Sequence, residues 1–222
     1  MSSAPRKRIV GGVLFPGFEL LDIFGPLELF GLLRDRVQIT MIGEHTGPVA
    51  SAQGPRAVID HAFEAIPAVD VLLIPGGIGA RAQVENPAFL GQLRRLHASA
   101  EYTASICTGS ALLARAGILD GRQATTNKLA FDFPVSQGPQ VDWQRRARWV
   151  ADGNIFTASG VSAGMDMALA LIERIWDRPT AEFAATQAEY IWNEDPNHDP
   201  FAVPSAEVPS SKDQEPEPGL TG

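Results

Sequence analysis

Cysteine is nearly missing from this chain: Cys107 is the single one among 222 residues. No internal disulfide can form, so nothing in the sequence demands an oxidising compartment. Long hydrophobic runs are missing as well. The first apolar stretch, IVGGVLF, follows the basic start MSSAPRKR. It is too short and too early for a secretion signal or a membrane span. Basic residues fall short of acidic ones, 18 against 26, leaving a formal net charge of -8. Such a surface repels nucleic acid and anionic membrane, so neither is expected as a partner. His45, His61, His97 and His198 have no metal-ligand spacing and read as surface residues, so no metal is called for. No internal repeat and no glycine fingerprint for a nucleotide is evident. These absences leave a soluble cytoplasmic chain as the expectation, with a small molecule as its partner.

What is present is an alternation of apolar runs and amphipathic stretches. Residues 8–15 and 69–74 are apolar with little alternation, as strands buried on both faces should be, and 37–42, 102–106, 122–126 and 154–158 read as further strands. Residues 18–33, 87–99, 110–119, 162–176 and 179–192 carry helical spacing. Gly25 and Pro26 predict a break or a second helix start in the first of these, and Ser162 an N-cap for the fourth. The segment 43–60, richer in Gly, Pro and polar residues, has room for a short hairpin. Together these elements predict an α/β fold: one doubly wound, mostly parallel sheet with helices on both faces. The length allows one core with a tail but not two large domains. The domain is expected over 6–204. Beyond it Glu207, Asp213, Glu215 and Glu217 face only Lys212, and 205–222 reads as a disordered acidic tail.

The chemistry gathers at Cys107. A strand runs straight into a helix there, with Thr108, Gly109 and Ser110 following. That is a nucleophile elbow with sulfur in place of hydroxyl, which lifts the side chain above the carboxyl ends of the strands. Amides and dipole at the start of the 108–117 helix should favour an anion, so the thiol is expected to titrate below its free value. The alternative is a small core hydrophobe, the usual fate of a free cysteine. Gly76 and Gly77 end the strand at 69–74, either as a plain tight turn or as amides facing a reacting centre. Asp22 lies in an apolar stretch just past the first strand, either as a helix-start residue or as a buried functional acid whose pKa burial would raise. Glu19 and Glu28 compete with it but read as solvated. Asp166, on an apolar helix, reads as a partner for buried backbone donors. Trp143, Trp149, Trp176 and Trp192 read as core or interface. Arg145, Arg146 and Arg148 read as a solvated edge.

The runs VLFPGFELLDIFGPLE, LLIPGG, SICTGSALLARAGILDGRQATT and SGVSAGMDMALALI occur in that order. Taken together, from about residue 8 to 192, they resemble the ThiJ/PfpI superfamily, whose fold is akin to class I glutamine amidotransferases. The nearest likeness is to isonitrile hydratases and to the amidotransferase-like domains of AraC-type regulators. The resemblance implies a nucleophile at Cys107, its neighbour Thr108, and the amides of Gly76 and Gly77 near the sulfur. Asp22 stands where much of the superfamily carries Glu, as in the isonitrile hydratases. Where members commonly read ATTH, this chain reads ATTN, so no imidazole comes from that motif. Asn127 then orients water or substrate by hydrogen bonds, and the proton work falls to Asp22.

The resemblance also implies a homodimer and the hydration of an isonitrile to an N-substituted formamide through a thioimidate on Cys107, with no cofactor. Two further readings use the same thiol: glyoxalase- or deglycase-like handling of reactive carbonyls, and a redox sensor. A DNA-binding regulator is not expected, because the acidic tail leaves no room for a helix-turn-helix.

Overall fold

The computed structural model describes residues 6–66 and 68–202. The expected disordered tail at 205–222 lies outside them. In chain order the elements are β1 (Arg8–Val13), α1 (Leu20–Gly31), β2 (Val37–Gly43), β3 (Gly47–Ala50), β4 (Arg56–Ile59), β5 (His61–Ala62), β6 (Val71–Ile74), α2 (Ala80–Gln83), α3 (Pro87–Ser99), β7 (Tyr102–Ile106) and α4 (Gly109–Arg115). They continue with β8 (Gln123–Ala124), α5 (Asp132–Gln137), β9 (Asp142–Trp143), β10 (Trp149–Asp152), β11 (Ile155–Ala158), α6 (Ala163–Ile175) and α7 (Arg178–Gln187).

Seven strands form one sheet in the order β10-β11-β7-β6-β1-β2-β5. Every pairing in it is parallel except β10 with β11. Helices α1, α6 and α7 pack together, as do α2, α3, α4 and α5, and the two groups flank the sheet. The inner strands β6 and β7 are apolar because both their faces are covered, and Val71 to Ile74 are fully buried. From β1 the chain first winds outward to β2 and β5, then returns to β6 and works toward the other edge. The order therefore reverses between β1 and β6, and the crevice outside their carboxyl ends is where such sheets bind ligands. The expected hairpin is present as β3 with β4.

Four expectations need correction. Gly25 and Pro26 do not break the first helix, since α1 runs through both. Pro26 forfeits one backbone bond, to the carbonyl of Asp22. Gly25 is a packing contact: a Cβ there would lie 2.8 Å from Met165 Cγ of α6. Ser162 precedes α6 without a capping side-chain bond. The last helix stops at Gln187, five residues early, because Glu189 adopts φ 50° and turns the chain back. Arg148 is buried rather than part of a solvated edge, although Arg145 and Arg146 are exposed. Beside α1, Phe24, Ile39 and Val58 are exposed around a groove of about 510 Å³.

Candidate active site

Loops after β1, β6 and β7 meet at the reversal point, and each supplies part of one cluster. Cys107 sits between β7 and α4 with φ 58°, a left-handed conformation that is strained for any residue with a Cβ. Its backbone is held on both sides. The N–H donates to the carbonyls of Ala158 and Ser159 at 3.1 and 3.2 Å. The carbonyl accepts from Ser110 Oγ at 3.1 Å and Thr126 Oγ1 at 3.0 Å. Two glycines make the tight return possible. A Cβ on Gly109 would come within 2.8 Å of the Pro75 carbonyl oxygen, and one on Gly76 within 2.5 Å of the Thr108 nitrogen.

Asp22 projects from the first turn of α1 and is fully buried. Its Oδ2 accepts from the Gly76 N–H at 2.9 Å, while Oδ1 has no hydrogen-bond partner. Burial raises its pKa to about 8. Gly76's amide opposes that shift, Glu19's charge adds to it, and the nearby Cys107 side chain pulls weakly against it. Gly77's N–H donates to Thr108 Oγ1 at 3.0 Å. The two glycine amides expected to face a reacting centre are thus both engaged, one aiming the carboxyl and the other holding Thr108.

The sulfur departs from expectation in its titration. Cys107 is 6% exposed, and burial pushes its thiol well up, with Asp22's charge adding to the effect. The Thr108 amide, the Asn127 side chain and the Thr108 hydroxyl pull the other way without prevailing. Helix-start amides do act as anticipated, but the loss of water outweighs them. Asn127 Nδ2 donates to Cys107 Sγ at 3.2 Å, and its Oδ1 accepts from the Ala130 N–H at 2.8 Å. That second bond fixes which end of the amide faces sulfur. Gly160 clears the space: a Cβ there would collide with Asn127 Nδ2 and lie 3.3 Å from Sγ. Gly160 stands in the run SGVSAG, where sequence gave it no role.

A second polar cluster lies away from the sulfur. Arg148 Nε and Nη2 meet Asp166 Oδ2 at 2.7 and 2.6 Å, while Oδ1 accepts from Tyr190 OH and the Asn193 N–H at 2.9 Å each. Asp166 therefore does satisfy a backbone donor, though a partly buried one, and it neutralises an arginine besides. Among the described residues no group of three or more His, Cys, Asp and Glu could hold a metal ion, and no helix is long and apolar enough to cross a membrane.

Residues 8–174 match the DJ-1/PfpI family. The chain belongs to that family. Among its DJ-1/PfpI relatives is the isonitrile hydratase of Pseudomonas putida, 37% identical over 183 residues, which span 82% of this chain and 78% of that protein. The HTH-type transcriptional regulator CdhR of Pseudomonas aeruginosa is 30% identical over 164 residues, 72% of this chain and 48% of that one. The solved structure of a THiJ/PfpI family protein from Pseudomonas syringae superposes with a TM-score of 0.75 at 30% identity, covering 84% of this chain and 76% of that one. The family thus includes both an enzyme and regulators.

Proposed function

We propose that this protein hydrates isonitriles to N-substituted formamides, with Cys107 as nucleophile and Asp22 as proton carrier. The observation that carries the reading is the 37% identity to isonitrile hydratase. A sulfur whose partners are Asn127, Thr108 and a raised carboxyl supports it. Ionising Asp22, near pH 8, leaves one proton on the sulfur–carboxyl pair, and that singly protonated pair is the reactive form.

As Sγ adds to the terminal carbon, the thiol proton passes through the Asp22 carboxylate onto that carbon. The sulfur's electron pair forms the S–C bond, the carbon's lone pair takes the proton as the C–H bond, one C–N π pair withdraws onto nitrogen as its lone pair, and a thioimidate results. Water then adds to the same carbon, with Asp22 moving one of its protons to nitrogen. The C=O bond forms as the S–C bond breaks, the remaining water proton returns to sulfur, and the formamide leaves. One water is consumed and the pair is regenerated. In this scheme Asn127 and the Thr108 amide hold the charge on sulfur, Gly76 aims Asp22, and Gly77 holds Thr108.

We assign this work to a catalytic unit over residues 6–204, acting as a cytoplasmic homodimer without a cofactor. Formamide formation from an alkyl isonitrile, absent in Cys107→Ala, is the expected result; no turnover across several alkyl and aryl isonitriles would refute it. Kinship with the CdhR regulator favours a second reading, a non-enzymatic cysteine sensor. In that case neither isonitriles nor methylglyoxal would be consumed, whereas a carbonyl-handling enzyme would consume methylglyoxal alone.

A further inference from the structure

Next to Asn127 lies a lysine that the proposed chemistry does not use. The Lys128 side chain is 5% exposed, and its Nζ donates to Thr125 Oγ1 at 2.7 Å, Ala147 O at 2.6 Å and Thr126 O at 3.3 Å. Asp199, also buried, places Oδ2 3.9 Å from Nζ and Oδ1 3.6 Å from Arg148 Nη1. Asp199 comes from the 193–202 segment, which is pinned alongside 146–148: Arg148 N–H donates to Pro196 O at 2.8 Å, and Asp199 N–H to Arg146 O at 2.9 Å. Arg148 is itself neutralised by Asp166. The charges facing Lys128 are therefore Asp199 from one side and Arg145 and Arg148 from the other.

An ammonium in such a place is expensive. Burial draws its pKa down to about 8, and an apolar side chain of similar length would fill the volume without that penalty. What the apolar chain would not do is satisfy three acceptors. Two of these belong to the turn that carries Asn127, and the third to the neighbouring 144–148 segment. The other side of the same turn faces the cysteine: Thr126 Oγ1 donates to its carbonyl and Asn127 Nδ2 to its sulfur. The turn is thus fastened at one end by Lys128 and spends its other end on Cys107.

We propose that Lys128, bonded to Thr125, Thr126 and Ala147 and facing the charge of Asp199, is a positioning residue that keeps the Asn127 amide on the Cys107 sulfur. The inference rests on Cys107 being the reacting group and is independent of which substrate it attacks.

The test is alkylation by iodoacetamide at pH 7.5, followed by intact mass, since one cysteine makes the readout unambiguous. Losing one hydrogen bond to a forming thiolate slows alkylation about tenfold. Asn127→Ala and Lys128→Met are each expected to show that loss, and the double variant to be no slower than either. Asp199→Asn should move the rate in the same direction by less. A merely structural role predicts the opposite sign, because a loosened fold uncovers the sulfur, relieves the burial that holds the thiol up, and speeds alkylation. The proposal fails if Lys128→Met reacts as fast as wild type or faster, or if the two losses multiply. Should a thermal melt show Lys128→Met unfolded, Asp199→Asn with and without Asn127→Ala gives the same comparison. Isonitrile turnover plays no part in this readout, so a failure of the hydratase reading leaves a separate signature.

Discussion

Two carboxylates in this protein are equally buried and entirely unlike. Asp22 and Asp166 are both fully buried and both lie in the first turn of an apolar helix. Asp166 has an arginine, a phenol and a backbone amide on its two oxygens. Asp22 has a single glycine amide, and one oxygen has no partner. The first is a neutralised ion whose removal would strand Arg148. The second is an acid held short of partners beside a sulfur equally short of water. Burial alone does not raise a carboxyl's pKa; burial without compensation does.

Four substitutions press on that contrast. Cys107→Ala is expected to cut isonitrile turnover about 10⁴-fold or more with the fold intact, measured as formamide released per folded molecule. Arg148→Met should destabilise by about 3–5 kcal/mol in urea unfolding, because it leaves Asp166 charged and unpaired, while turnover per folded molecule stays close to wild type. Asp22→Asn should do the reverse, losing turnover and gaining about 4–5 kcal/mol of stability at pH 8. A raised pKa makes the native state hold its proton above the unfolded value, so the wild type loses stability as pH rises from about 4 through about 8. The gain in Asp22→Asn should therefore vanish on titrating down to pH 4, and a gain that persists there would break the account. Smallest is Cys107→Gly, which frees the left-handed position of its Cβ and should be about 1 kcal/mol more stable than Cys107→Ala, with turnover gone in both.

Much of the fold was legible because its strands are covered on both faces and so read as unbroken apolar runs. The elbow was legible for a local reason: Thr108, Gly109 and Ser110 follow Cys107 directly, and only small residues fit that return. Asp22 could be singled out because an acid among leucines is conspicuous. What escaped depends on residues far apart in the chain. Gly25 looked like a break because its reason, Met165, lies on another helix. Arg148 looked exposed because Asp166, which neutralises it, is 18 residues away. The thiol's titration was misjudged because dipole and amides are local, whereas the loss of water is imposed by the whole surrounding core. Gly160 carried no signal of its own, since its reason is the amide of Asn127.

The near-closure of the sulfur limits the shape of what can reach it. Under the proposed chemistry, with so little of Cys107 showing, a molecule must offer its reacting atom at a slim tip, and a linear terminal carbon does so where a branched centre is screened by its own substituents. Selection on this account acts on the girth of the leading end, and the trailing group is free to vary.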